Sequence, residues 1–286
     1  DSMNNYYDIK LKKARLKILK KYKYFSFTKN KLENKISLTK AFNKFKPNIT
    51  IHLAAQAGVR YSIEKPRVYL DSNVIGTYNI IEASHKTKVK HLIMASSSSV
   101  YGSNTKIPFK ETDKTETQLS IYAATKKSNE SMAHSYSNIW KIPITMLRFF
   151  TVYGPWGRPD MALFKFTKGI LENKKINIFN NGQMYRDFTF IDDIVSGVKS
   201  SIKKNYAYEI FNLGNNRCED LMDMISLIEK ELNTKAEIDL MDIQLGDVEK
   251  TFADIEHAKN KLNYIPKISI ADGIPKFIEW YKSYHK

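Results

Sequence analysis

Tyr122 and Lys126 stand four residues apart in Ile121-Tyr-Ala-Ala-Thr-Lys-Lys127, and Ser97 lies upstream in Ala95-Ser-Ser-Ser-Ser-Val-Tyr-Gly102. On a helix, residues at i and i+4 share one face and their side chains can interact. An ammonium beside a phenol favours the phenolate, so a group that normally titrates near ~10 can serve as a base near neutrality. A hydroxyl at the end of a preceding strand could then hold a substrate oxygen between itself and the tyrosine. The spacing alone equally fits an ordinary surface pair on an amphipathic helix, and the serine run a polar turn. What makes the set informative is its order, after a strand, in a chain with other α/β signals.

The elements that must position these residues alternate. Asn48–Ala54 reads as a short buried strand after Pro47, and a helical stretch follows from about Pro66 to His85. Lys90–Ser96 reads as the next strand, 121–140 as a helix, and Ile144–Phe149 as a strand after Pro143. Strands separated by long helices predict βαβ units, a parallel sheet, and ligands at the carboxyl ends of its strands. After Gly154-Pro155 the sequence loosens into turns and shorter elements, predicting a smaller second lobe that ends in an amphipathic helix from about Ile270 to Tyr284.

Composition narrows the classes. A chain of 286 residues with 42% hydrophobic content suffices for a packed core in one or two domains. One cysteine, Cys218, argues against a disulfide framework, and the six histidines lack metal-ligand spacing. No apolar run reaches membrane-spanning length and no signal peptide opens the chain, which predicts a soluble cytoplasmic protein. The net charge of +16 is densest around Lys10-Leu-Lys-Lys-Ala-Arg-Leu-Lys-Ile-Leu-Lys-Lys21, where apolar residues recur at helical spacing. That pattern predicts an amphipathic helix with a solvated basic face, and an anionic small molecule suits the positive potential better than nucleic acid.

Together, Tyr-x-x-x-Lys, the serines before Val100-Tyr101-Gly102, His52-Leu-Ala-Ala-Gln56 and Arg186-Asp-Phe-Thr-Phe-Ile-Asp-Asp193 resemble the extended short-chain dehydrogenase/reductases of the NAD-dependent epimerase/dehydratase family. Ala54-Ala-Gln-Ala-Gly-Val-Arg-Tyr-Ser62 and Phe149-Phe-Thr-Val-Tyr-Gly-Pro-Trp-Gly-Arg-Pro-Asp-Met161 are similar to UDP-glucuronate 4-epimerases. The resemblance implies an α/β, Rossmann-like doubly wound parallel sheet with a smaller mixed α/β substrate lobe. It places the NAD-binding part at residues 1–150 plus about 187–215, and the sugar-nucleotide lobe at about 151–186 and 216–286.

The implied chemistry is C4 inversion through a 4-keto sugar. Tyr122 would take the 4-hydroxyl proton while hydride passes to NAD, Lys126 would lower the tyrosine pKa and bind the nicotinamide ribose, and Ser97 would bond the reacting oxygen. Related dehydratases and decarboxylases carry acidic residues where this chain has Ser98 and Ser99; with Thr151, these hydroxyls would hold a uronic acid carboxylate. Arg186 would grip the diphosphate, Arg158 would contact the sugar or diphosphate, and Gln244 and Asp247 would meet the uridine ribose. The cofactor wall would comprise Asp1, Asn5, Ala54, Ala55, Gln56, Asn73 and Phe149 with Tyr122 and Lys126. Arg60 fits either the cofactor side or a solvated helix start, and His52 a packed strand end.

One part of the family pattern is not here. No Gly-x-x-Gly-x-x-Gly occurs, the first glycine is Gly58, and Lys31 stands where the family usually has Asp near the adenine. A Gly-rich strand-turn-helix normally receives the pyrophosphate. The expectation is an N-terminally truncated sheet lacking its opening unit of ~30 residues, with Asp1 at the end of the second strand and with exposed backbone edges and apolar faces. Three readings follow: a UDP-glucuronate 4-epimerase that binds NAD and forms a homodimer, a UDP-hexose or UDP-N-acetylhexosamine 4-epimerase, or an inactive chain that retains nucleotide-sugar binding.

Overall fold

The apolar runs after Pro47, Lys90 and Pro143 all form strands, and the serine-capped run after Ser120 forms the long helix. The computed structural model describes residues 1–286. Its strands, in chain order, are β1 (Ile49–His52), β2 (His91–Ser97), β3 (Ile144–Phe149), β4 (Thr151–Tyr153), β5 (Ile176–Phe179), β6 (Tyr185–Arg186), β7 (Phe188–Phe190), β8 (Tyr208–Leu213), β9 (Glu219–Asp220) and β10 (Ile238–Met241).

Four of them make the central sheet in the order β1-β2-β3-β8, every pairing parallel. Ser97 stands opposite Phe149, and Phe149 opposite Leu213, so the carboxyl ends of three strands form one rim. Helices cover both faces. On one, Leu38, Ile80, Ile81 and Ala133 pack against Leu92, Met94, Ile144 and Met146. On the other, Ile194, Ala258 and Leu262 pack against Ile93, Leu147, Phe211 and Leu213. Helix on sheet on helix is the doubly wound α/β arrangement. A separate apolar core joins the helices Ala162–Leu171, Leu221–Leu232 and Ile270–Tyr284 to β5 and β7.

The helix Ile121–Trp140 begins where Ser120 Oγ accepts the Ala123 amide at 3.1 Å and ends at Lys141 in a left-handed conformation. The stretch expected as one helix over 66–85 divides into Pro66–Tyr69, a π-helical turn at Leu70–Ile75, and Gly76–Lys86. The basic helix spans Ile9–Leu19, but its lysines are not all solvated. Lys12 is 8% exposed, with its ammonium bonded to Asn4 O and Asn4 Oδ1 and seated over the Tyr7 ring.

β1 is an edge, bonded to β2 alone. Its alternate residues Ile49 and Ile51, with Leu53 beyond, face solvent at 37, 39 and 52% exposure. No helix is long and apolar enough to cross a membrane.

Candidate active site

The long helix docks its first two turns against the end of β2. Lys126 is 4% exposed and its ammonium donates to the Ala95 carbonyl at 2.8 Å, fixing the helix to the strand that carries Ser97. Burial lowers the Lys126 pKa to about 8, against the pull of the Glu130 carboxylate one turn on. The half-buried Tyr122 lies edge-on to Tyr69, ring centres 6.2 Å apart. Burial raises its phenol pKa, while the Ser97 hydroxyl and then the Arg158 charge draw it back down. This differs from the expected chemistry. The Lys126 ammonium is engaged by a backbone carbonyl, and the cation acting on Tyr122 is Arg158.

Glu130 and Arg148 anchor this arrangement from below. Their side chains are 1 and 2% exposed and joined by two parallel bonds, Nε to Oε1 at 2.8 Å and Nη2 to Oε2 at 2.9 Å. Burial works against the Glu130 charge, yet the Arg148 guanidinium holds its carboxyl below the usual range. Ser96 donates to the same carboxylate at 2.7 Å, and Arg148 Nη1 donates to Tyr101 Oη at 3.0 Å. One ion pair thus joins the Tyr122 helix, the serine end of β2, and β3.

The serine run turns sharply. Ser97 Oγ accepts the Ser99 amide at 3.2 Å and starts a short 3-10 turn over Ser98–Tyr101. That turn forms one wall of an open cleft of about 140 Å³. Ser98, Ser99, Ala123, Thr151, Arg186 and Asp247 line it. The chain thus gathers Thr151 after β3, Arg186 in β6 and Asp247 in the 244–249 loop beside the residue that follows Tyr122.

Arg186 reaches across the cleft to donate to Glu249 O at 2.8 Å and to Tyr185 O at 2.9 Å; burial lowers its pKa and Asp247 opposes that shift. Asp247 also pairs with Arg60 at 2.9 Å, and the Arg60 guanidinium stacks over Phe179 at 4.3 Å. Arg60 therefore bridges from the helix Val59–Glu64 to β5 and the 244–249 loop. Gln244 stays outside the cleft wall, with its Oε1 buried and unpartnered. Arg158 pairs with Asp160 at 3.1 Å, and Tyr6 donates to the same carboxylate at 3.0 Å.

The cofactor candidates separate into two groups. Ala54 and Ala55 follow β1 at the rim, beside Gln56. Asn73, fully buried, accepts the Gln56 amide at 2.8 Å and donates to Gln56 O and Thr125 Oγ1. Its polar atoms serve the loop and the long helix, so Asn73 braces the wall from behind. Asp1 Oδ1 accepts the Met3 amide, Asn5 is exposed, and Lys31 pairs with Glu33 at 3.6 Å. Phe149 ends β3 on the rim. His52 is buried against Thr77, and burial lowers its pKa to about 3, as for a packed, neutral imidazole.

These residues fit the nicotinamide-ribose end of a dinucleotide. Lys126 has donors left beyond its one carbonyl bond, and the two alanines leave the backbone accessible. A glycine-rich pyrophosphate turn has no counterpart in this chain, whose first glycine, Gly58, caps the helix Val59–Glu64 with φ +104°. The Tyr69 hydroxyl secures that turn by donating to Ala57 O at 2.9 Å and Gly58 O at 2.6 Å.

Sequence reasoning missed several of these participants. Arg15 donates to Trp156 O and Gly157 O, clasping the loop that carries Arg158 to the N-terminal helix. Tyr6, Tyr69 and the buried Asp187 likewise carry no local signal, because their partners lie far along the chain. The Arg186-Asp187 motif pointed to the arginine alone.

Comparison with known proteins places the chain among sequence and structural relatives. The NAD dependent epimerase/dehydratase family matches residues 5–214. Protein CapI of Staphylococcus aureus is 48% identical over a 304-residue alignment covering all of this chain and 91% of that protein. A probable UDP-glucuronate 4-epimerase of Rhizobium meliloti is 40% identical, covering 98% of this chain and 88% of its own length. The crystal structure of UDP-glucuronic acid 4-epimerase from Bacillus cereus, in complex with UDP-glucuronic acid and NAD, superposes with a TM-score of 0.94 at 33% identity, covering 99% of this chain and 90% of that one. The chain belongs to the NAD dependent epimerase/dehydratase family.

Proposed function

We propose that the chain inverts C4 of UDP-glucuronate to give UDP-galacturonate, with NAD as cofactor. The observation that carries this reading is the cleft itself: Ser98, Ser99 and Thr151 converge on it with Arg186 and with Ala123, the residue after Tyr122, and neither position before Val100 is a carboxylate. NAD, when bound, supplies hydride exchange at C4. Tyr122 takes the proton from the 4-hydroxyl, Ser97 bonds the same oxygen, and the Arg158 charge acts on the phenol in the direction that abstraction requires. Lys126 orients the nicotinamide ribose from the floor of the site. Ala54, Ala55, Gln56 and Phe149 form the wall on that side, with Asn73 bracing it and Asp1 and Asn5 toward the adenosine end.

A 4-keto uronic acid is a β-keto acid and loses carbon dioxide unless its carboxylate is held. Directed bonds from Ser98, Ser99 and Thr151 hold it. Arg186 and Arg158 take the diphosphate, for which a guanidinium fork is suited, and Asp247 and Gln244 the uridine ribose. Residues 1–150 with about 187–215 form the cofactor-binding part, and about 151–186 with 216–286 the sugar-nucleotide lobe. A cytoplasmic homodimer supplying uronic acid for polysaccharide completes the proposal; Ile139 and Trp140, 61 and 43% exposed on the catalytic helix, support an apolar contact between copies.

Incubation with UDP-glucuronate and NAD, followed by separation of the sugar nucleotides, tests the reading. Accumulation of UDP-galacturonate is expected. Turnover of UDP-glucose or UDP-N-acetylglucosamine with no C4-inverted uronic acid would replace it.

A further inference from the structure

Asp187 is fully buried and is used by none of the steps above. Its Oδ1 accepts the Asn215 amide at 2.5 Å and the Thr189 hydroxyl at 3.0 Å; its Oδ2 accepts the Asn216 and Ala253 amides, both at 3.1 Å. No cation pairs with it, and burial pushes its carboxyl up to about 6 against the pull of those donors. A buried carboxylate without a counter-ion is costly, and only a full set of hydrogen bonds offsets it. Space is kept for it as well. A Cβ on Gly214 would lie 2.7 Å from Asp187 Oδ2 and 2.5 Å from Ala253 Cβ.

The donors belong to segments that shape the cleft. Ala253 follows Thr251 of the cleft wall, and Asn215 and Asn216 follow β8 at the rim of the sheet. The Asp187 backbone carbonyl accepts the amide of Thr151 at 3.0 Å, and Arg186 precedes it in sequence. We propose that Asp187 is the positioning residue of the substrate cleft: it sets Arg186, Thr151 and the Thr251–Ala253 wall at the separation that a nucleoside diphosphate sugar requires. This rests on the reading of the cleft as a UDP-sugar site. An amide in its place keeps one acceptor oxygen and turns an NH2 toward two N–H or O–H donors.

UDP-glucuronate binding by calorimetry, without turnover, tests this on the wild type, Asp187→Asn and Thr189→Val. Asp187→Asn is expected to weaken binding at least ~10-fold, as a charged acceptor is lost, and Thr189→Val ~3-fold, as one donor to that carboxylate is lost. Amide exchange at Asn216 and Ala253 should rise with the loss of affinity. In turnover, KM should rise with kcat little changed, whereas a purely structural defect lowers the active fraction and leaves the affinity of folded protein unaltered. Folded Asp187→Asn that binds within twofold of wild type overturns the inference and leaves the cleft reading intact. Should Asp187→Asn not fold, unchanged affinity in Thr189→Val overturns it. A wild type that does not bind UDP-glucuronate overturns both.

Discussion

The two ends of the sheet's rim solve opposite problems. Around the cleft, the chain answers its own buried charges: Asp187 with four donors, Arg186 with two carbonyls, Arg148 with Glu130. Beyond β1, backbone and apolar side chains face solvent. A sugar nucleotide fits between preset walls, so those walls must be rigid. On the β1 side the sheet ends at an edge strand, and this chain carries no glycine-rich pyrophosphate turn beside it.

The largest effect that sharpens this contrast is at Tyr122. Tyr122→Phe should cut turnover ~10²–10⁴-fold while leaving UDP-glucuronate affinity within ~2-fold; product analysis beside calorimetry checks both, and an undiminished rate breaks the assignment. Arg148→Met strands Glu130 in the interior and should cost ~3–5 kcal/mol of stability by denaturant titration. Retention of wild-type stability would show that the cleft's floor does not depend on that pair. Arg186→Gln removes charge-assisted contacts and should weaken UDP-glucuronate binding by ~1.5–3 kcal/mol, with little change in melting temperature.

A pH profile probes the cofactor side. The Lys126 pKa in the folded chain, about 8, lies below its unfolded value of ~10.4. The buried ammonium therefore costs stability wherever both states are protonated, and between those two values the unfolded chain binds more protons. Stability contributed by this group should rise over that window while turnover falls. Denaturation at successive pH values should lose this rise in Lys126→Met. The smallest effect belongs to the open edge: Ile51→Thr should change stability by no more than ~0.5 kcal/mol, since Ile51 already faces water. A large loss would mean that the edge is covered in solution.

Much of this was legible beforehand where information is local. Apolar runs bounded by Pro47 and Pro143 gave strands, and the helix over 121–140 was readable end to end. The site's ordered motifs brought Ser97, Tyr122, Lys126, Thr151 and Arg186 onto the page together. What stayed hidden depends on contacts with no sequence period. Asp187 meets amides up to 66 residues away, Arg15 reaches carbonyls more than 140 residues on, and Lys126 bonds a backbone carbonyl that any residue could present. The basic face of the first helix misled in part, because net charge does not reveal that Asn4 lies over Lys12.

The π-helical turn at Leu70–Ile75 carries a consequence for sequence length. Wider turns of this kind add one residue to an otherwise α-helical run. Here it lies between Tyr69, whose hydroxyl secures the Ala57–Gly58 turn, and the helix Gly76–Lys86 packed on the sheet. Removing one exposed residue such as Ile75 would restore ordinary pitch while rotating everything upstream by ~100° relative to everything downstream. Tyr69 would then point away from the carbonyls it serves. Side chains facing water in that turn can vary freely, but their number cannot.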